Sequence, residues 1–182
     1  MQLMAAFIFL LRTLAGLYIA ILLLRMLFQW VRADFYNPVS QAIVKLTSPL
    51  VLPLRRVLPA MGRIDTSSLL LALAFQLLLV SVVALLEFGR LSVTQLLLWS
   101  ILDLLHLLLE IYTFSLFFVV VLSWVSPYNR HPVALLAYQL TEPLLRPVRG
   151  KIPPLAGLDF SVMIVLMLIY MLDNYLIPSA PF

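Results

Sequence analysis

The stretch WVRADFYNPVSQAIVKLTSPLVLPLRRVLPAMGRIDTS, Trp30 to Ser67, returns as WVSPYNRHPVALLAYQLTEPLLRPVRGKIPPLAGLDFS, Trp124 to Ser161, at a constant offset of 94 residues. Trp30, Pro38, Thr47, Pro49, Pro53, Arg55, Pro59, Asp65 and Ser67 map without a gap onto Trp124, Pro132, Thr141, Pro143, Pro147, Arg149, Pro153, Asp159 and Ser161. Self-similarity at a fixed period marks copies of one supersecondary unit. Each block lies between apolar segments, so the unit is span, elbow, span, with one repeat over residues 1–94 and the other over 95–182.

Composition selects the solvent. Hydrophobic residues make up 64% of the 182 and charged residues only 11%, with a mean hydropathy of +1.10. A soluble domain of this size exposes too much surface to hide that apolar content. A spanning helix needs about 20 mostly apolar residues, and four stretches qualify: Leu3–Trp30, Ser67–Leu86, Leu96–Trp124 and Ser161–Ile177. The first and third exceed the minimum, so they tilt or protrude. The first lacks a basic flank and a small-residue cleavage site, so it reads as a retained span rather than a signal peptide. The expected fold is an all-α membrane protein: four transmembrane helices in two parallel hairpins, each with short amphipathic interfacial helices in its turn.

Basic residues set the orientation. One elbow carries Arg32, Lys45, Arg55, Arg56 and Arg63, the other Arg130, Arg146, Arg149 and Lys151, whereas the link between the second and third spans offers Arg90. The positive-inside rule puts both elbows in the cytoplasm and both termini outside, in the periplasm if the cell is Gram-negative, a multi-pass inner-membrane topology. The hairpins then face the same way, related by an axis along the membrane normal. The net charge of +4 suits anionic lipid rather than nucleic acid, because the positive residues flank spans and no base-stacking platform accompanies them.

Within the elbows, Asn37-Pro38 is a helix start, a capping side chain followed by a proline whose missing N–H costs nothing there. Val39, Ala42, Ile43 and Leu46 recur at helical spacing, as do Val133, Leu136, Ala137 and Leu140. Each set predicts a short amphipathic helix in the headgroup plane. Pro49 and Pro143 should stop it, and Pro53 and Pro147 should start a second short segment bearing Arg55 and Arg149. Asp65 and Asp159 stand where the next span needs a cap, and His131 replaces Asn37 as a cap variant. These residues simply shape two corners, or else Arg55, Arg56, Arg146, Arg149 and Lys151 also grip lipid phosphate or a partner's acidic segment, since guanidinium binds phosphate bidentately.

The run with Asn37-Pro38, Thr47-Ser48-Pro49, Pro53-Leu54-Arg55-Arg56 and Ile64-Asp65 resembles the YggT (YlmG) family of small bacterial and plastid membrane proteins. The block from Thr141-Glu142-Pro143 through Pro147-Val148-Arg149 to Asp159-Phe160-Ser161 is similar to the family's other half. Gly150 departs from the arginine pair, with Lys151 beside it. The resemblance implies a polytopic inner-membrane protein without known catalysis. It also implies links to osmotic tolerance, to envelope or division organisation and, in plastid relatives, to assembly of a haem-bearing cytochrome.

Polar residues inside the spans are the candidate site. Asp103, His106 and Glu110 fall at i, i+3 and i+7, on one helical face. Counted from Trp124, Glu110 lies about 21 Å into the membrane. The repeat offset maps Arg12 onto His106 and Gly16 onto Glu110, so an ion pair between Arg12 and Glu110 is expected, with Asp103 competing. Gln76 and Asp173 can join the cluster, while Gly16 and Ala20 admit a neighbouring helix. Such charges should face the bundle interior, either fixing register or serving a proton or cation path. With one membrane histidine, metal or haem ligation is disfavoured, and no cofactor is expected. Met163, Met167 and Met171 read as packing filler.

The chain has no cysteine, which excludes disulfides and thiolate chemistry. No H-E-x-x-H, G-x-S-x-G or phosphate-binding glycine loop occurs. Ser67, Ser68 and Ser161 adjoin aspartates and read as capping residues. The expectation is a non-catalytic scaffold or assembly factor that meets anionic lipid and membrane-protein partners. The alternative is ion or proton transport through the Arg12, His106 and Glu110 cluster, which demands a homo-oligomer because four helices rarely enclose a pore alone.

Overall fold

The computed structural model describes residues 2–58, 61–87, 89, 91–126, 131–151 and 159–178. Pro59, Pro153, Arg90 and Arg130 of the sequence reading lie outside these residues. Six α-helices follow in order: α1 (Gln2–Trp30), α2 (Pro38–Val57), α3 (Thr66–Glu87), α4 (Val93–Val125), α5 (Pro132–Arg149) and α6 (Phe160–Met171), which runs on into a π-helical turn, Leu172–Leu176. Among the described residues the only β pairing is one isolated bridge between Met61 and Ile64.

Helices α1, α3 and α4 are long and apolar enough to cross a membrane. Leucine, alanine and other good helix formers surround most of each axis, so none has the broad polar side of a surface helix, and α4 carries only the narrow row of Asp103, His106 and Glu110. At 33 residues, α4 extends about 50 Å, well beyond a hydrocarbon core of about 30 Å. A capping box starts it, Ser92 and Gln95 satisfying each other's backbone N–H groups. The apolar stretch Phe160–Leu176 is shorter.

The packed centre joins Leu22, Leu23 and Met26 of α1 with Ala72, Leu116, Leu140 and Val165 from α3, α4, α5 and α6. Tyr18 and Phe75 meet edge to face, 5.3 Å between centroids. Elsewhere large apolar side chains point outward, including Phe7, Phe9, Leu14, Phe114 and Phe117. Met163 and Met167 are exposed as well, at 60% and 64%, so the methionine series faces outward instead of filling the packing.

The elbows differ from expectation. Helix α2 runs through Pro49 and Pro53, and α5 through Pro143 and Pro147, so one continuous helix replaces two short segments in each. A proline removes the bond to the carbonyl four residues earlier. At i, i+4 spacing the two prolines share one face, and all four are exposed, so the freed carbonyls lie on the outward side. The opposite face of α2, Ser40, Ile43, Thr47 and Val51, is buried. Bonds from Thr47 and Ser48 hydroxyls to Ile43 O and Val44 O, at 2.7 and 2.6 Å, reinforce the turn ahead of Pro49.

Both caps form as the sequence suggests. Asn37 Oδ1 accepts from Val39 N at 2.9 Å, and His131 Nδ1 accepts from Val133 N at 3.3 Å. After α1, Arg32 sits at φ 55°, with Ala33 N donating to Phe28 O at 2.8 Å and Arg32 N to Gln29 O at 3.2 Å. This is a Schellman ending with arginine where glycine is usual. The elbows also touch each other: Asn37 Nδ2 donates to Pro132 O at 2.8 Å, and Asp34 N donates to Gln139 Oε1 at 3.1 Å.

Candidate functional site

Helices α1, α3 and α4 bring Arg12, Gly16, Gln76, Asp103, His106 and Glu110 to the wall of one cavity of about 440 Å³. Three helical steps separate Asp103 from His106 and four separate His106 from Glu110, which keeps the three on the α4 face turned to this space. Gln76 Nε2 donates to Asp103 Oδ2 at 3.0 Å. The π-helical turn ending α6 carries Asp173, whose Oδ1 lies 2.6 Å from His106 Nδ1. His106 Nε2 lies 3.4 Å from Pro178 O. A carboxylate accepts, so His106 donates from Nδ1.

Arg12 does not form the expected pair with Glu110. Its Nη2 meets Glu87 Oε2 at 3.1 Å, with each side chain about one-third exposed, 38% and 33%. Equating depth through the repeat offset overlooked the final residue of α3, which comes level with Arg12 because α3 packs directly along α1. Glu110 remains an exposed wall residue of the cavity. Gly16, expected to admit a helix, has open space where a Cβ would stand and borders the cavity instead.

The second polar centre lies where α1, α2 and α3 meet, and the sequence reading missed its principal member. Arg25 is 7% exposed and Asp65 is fully buried, with Arg25 Nε 3.3 Å from Asp65 Oδ2. Arg25 Nη1 donates to Thr47 Oγ1 at 2.6 Å, and to Ser48 Oγ and Val44 O at 3.3 Å each. Arg55 Nη2 donates to the same Asp65 oxygen at 3.0 Å and to Gln29 Oε1 at 3.0 Å. Ser68 Oγ adds a bond to Asp65 at 2.9 Å. Asp65 is therefore the hub of a buried network, not a cap alone. The available signal was a second arginine, after Arg12, inside an otherwise apolar span, a feature that demands a partner.

The second elbow is built differently. Arg149 Nε bonds Asp159 Oδ2 at 2.7 Å and Nη1 bonds Glu142 Oε2 at 2.8 Å, all three side chains being partly exposed. At the offset of 94, Val119 stands in place of Arg25 and Glu142 in place of Ser48. The first centre thus holds two arginines around one carboxylate, the second one arginine between two carboxylates. Burial pushes the Asp159 carboxyl up, but bonds from Arg149 and Ser161 outweigh this and hold it below its ordinary value. Arg55 and Arg149, read as contacts to lipid phosphate or a partner, are engaged by carboxylates of their own chain. Arg56, Arg146 and Lys151 are exposed at the ends of α2 and α5.

Among the described residues no group of three or more histidine, cysteine, aspartate or glutamate side chains is placed to hold a metal ion.

The CCB3/YggT family model matches the chain twice, over residues 4–86 and 98–180. A Pseudomonas aeruginosa protein described as uncharacterized is 45% identical over 174 residues, covering 94% of this chain and 88% of that one. The uncharacterized protein YggT of Escherichia coli is 42% identical over 169 residues, 91% of this chain and 86% of that one. A Haemophilus influenzae relative is 39% identical over 157 residues, 86% and 83% respectively. No solved structure matches. With both repeats and nearly the whole length matched, the chain belongs to the CCB3/YggT family.

Proposed function

We propose that the chain is a non-catalytic inner-membrane scaffold or assembly factor of four spans in two same-facing hairpins, Phe160–Leu176 being the fourth. Its elbows rest on the cytoplasmic leaflet and both termini lie in the periplasm. In this role it serves envelope or osmotic-stress physiology by presenting Arg56, Arg146 and Lys151 to anionic lipid and to membrane-protein partners.

The observation that carries this reading is the direct contact of α2 with α5, through Asn37 and Pro132. It gathers both basic elbows at one end of the bundle, where the buried Arg25 and Asp65 pair stiffens the corner. The absence of cysteine makes single-cysteine labelling direct. Gln41→Cys and Gln139→Cys should react only from the cytoplasmic side and Gln95→Cys only from the periplasmic side; opposite-side labelling of the two elbows overturns the topology. Arg56→Glu with Arg146→Glu should strip co-purifying anionic lipid and partners, and unchanged co-purification overturns the scaffold role.

A second reading, proton or cation transport through a homo-oligomer, is favoured by the polar cavity bordered by Asp103, His106 and Glu110. Liposomes loaded with the protein should then dissipate an ion gradient, and Glu110→Gln should slow this. Leakage equal to that of empty vesicles rejects transport.

A further inference from the structure

Between α1 and α2 lies a cavity of about 330 Å³ whose wall includes Arg25, Arg55, Ser40, Ser48, Phe28 and Leu52. It is separate from the cavity bordered by Glu110. Two side chains of this wall each carry a polar atom that is buried without a hydrogen-bond partner among the described residues, Ser40 Oγ and Arg55 Nε. Ser40 is only 5% exposed. A buried donor left unmade is costly, so such atoms call for a ligand. The charge agrees: Arg25 and Arg55 share the single carboxylate of Asp65, leaving one positive charge in excess.

We propose that this cavity binds a phosphate group, taking it between the guanidinium groups of Arg25 and Arg55 and the hydroxyl of Ser40. Arginine and hydroxyl donors suit phosphate oxygens. Placement favours the phosphodiester of an anionic phospholipid over free phosphate. Arg25 lies five residues before Trp30, about 7.5 Å along the helix, and Phe28 and Leu52 offer apolar wall to the adjoining glycerol and acyl carbons. The second repeat supplies an internal contrast. Val119, Ala134 and Glu142 occupy the positions of Arg25, Ser40 and Ser48, removing three donor side chains and adding a negative charge. The site therefore belongs to the first repeat alone.

This inference rests on the proposed interfacial location of α2, yet its test does not depend on topology. The full chain, purified in a non-ionic detergent, is titrated with phosphatidylglycerol, phosphatidylcholine or inorganic phosphate and read by native mass spectrometry. One phosphatidylglycerol per chain should be retained more strongly than phosphatidylcholine. Ser40→Leu fills the space without touching the ion pairs and should weaken retention roughly tenfold, the scale of one lost charge-assisted bond. Arg55→Lys, which keeps the charge and removes Nε, should weaken it as well. Arg56→Glu, outside the cavity, should leave it unchanged even where it abolishes general adhesion to anionic membranes. Saturable inorganic phosphate binding that Ser40→Leu abolishes assigns the site to the free anion. Retention of both phosphate and phosphatidylglycerol unaltered by Ser40→Leu and Arg55→Lys overturns the proposal.

Discussion

Arg25 and Asp65 stand 40 residues apart in the chain, yet their side chains meet at 3.3 Å where almost no solvent reaches either. The pair joins α1 to the start of α3, and through Thr47 and Ser48 it fastens α2 across both. Breaking a buried pair by removing one partner leaves an uncompensated charge, at a cost of about 3–5 kcal/mol. Asp65→Ala should accordingly lower the unfolding midpoint in detergent sharply. Arg25→Met combined with Asp65→Leu should recover much of the loss. A double variant no better than Asp65→Ala would contradict this account.

Arg12 and Glu87 present the opposite case, an ion pair at 3.1 Å with both partners partly exposed. Their coupling in a double-mutant cycle should be below about 1 kcal/mol. Glu110→Gln should not alter that coupling, whereas a pairing of Arg12 with Glu110 would make it do so.

Arg32 adopts φ 55°, a left-handed conformation that costs a side-chain-bearing residue about 1–2 kcal/mol. Arg32→Gly should therefore raise stability, while Arg32→Val should lower it. Thermal unfolding of the two variants in one detergent reads the sign directly.

Asp159, just ahead of α6, gives an acid-sensitive contribution. The folded chain holds its carboxyl below the ordinary value of 3.8, so the stabilisation is complete above about pH 5 and fades as acid protonates the folded form. Asp159→Asn should be less stable than the parent at neutral pH, and the gap should close below about pH 4. A gap independent of pH would contradict the Arg149 contact.

Asn37 both caps α2 and donates across to Pro132. Asn37→Asp keeps the capping oxygen but loses the donor, so it isolates the bond between repeats. Its destabilisation should be smaller than that of Asn37→Ala, which also forfeits a cap commonly worth about 1 kcal/mol. An Asn37→Asp variant as stable as the parent would assign no role to the contact between elbows.

Much of the architecture was legible because apolar length and a fixed repeat are read without tertiary knowledge. The stretches expected from Leu3–Trp30 and Ser67–Leu86 match α1 and α3 to within a residue or so. The face shared by Asp103, His106 and Glu110 followed from helical spacing. Partner choice was less accessible. Arg12 found Glu87 because helix packing sets which ends come level, and internal offset alone does not encode that. Proline punctuation misled at Pro49 and Pro143, where outward-facing prolines and side-chain bonds to the preceding turn let the helix continue. Arg25 was overlooked because two charges, Arg12 and Arg25, barely dent the hydropathy of a 29-residue apolar helix.

The two polar bonds that stitch one elbow to the other give the molecule a built-in recognition code between its halves. Were the polypeptide divided between Glu87 and Val93, the leading fragment would keep the amide of Asn37 and the N–H of Asp34 while the trailing fragment kept their acceptors, Pro132 and Gln139. Co-expressed fragments would thus find each other in the bilayer by complementary docking, and a lone fragment would present those groups as a vacant seam.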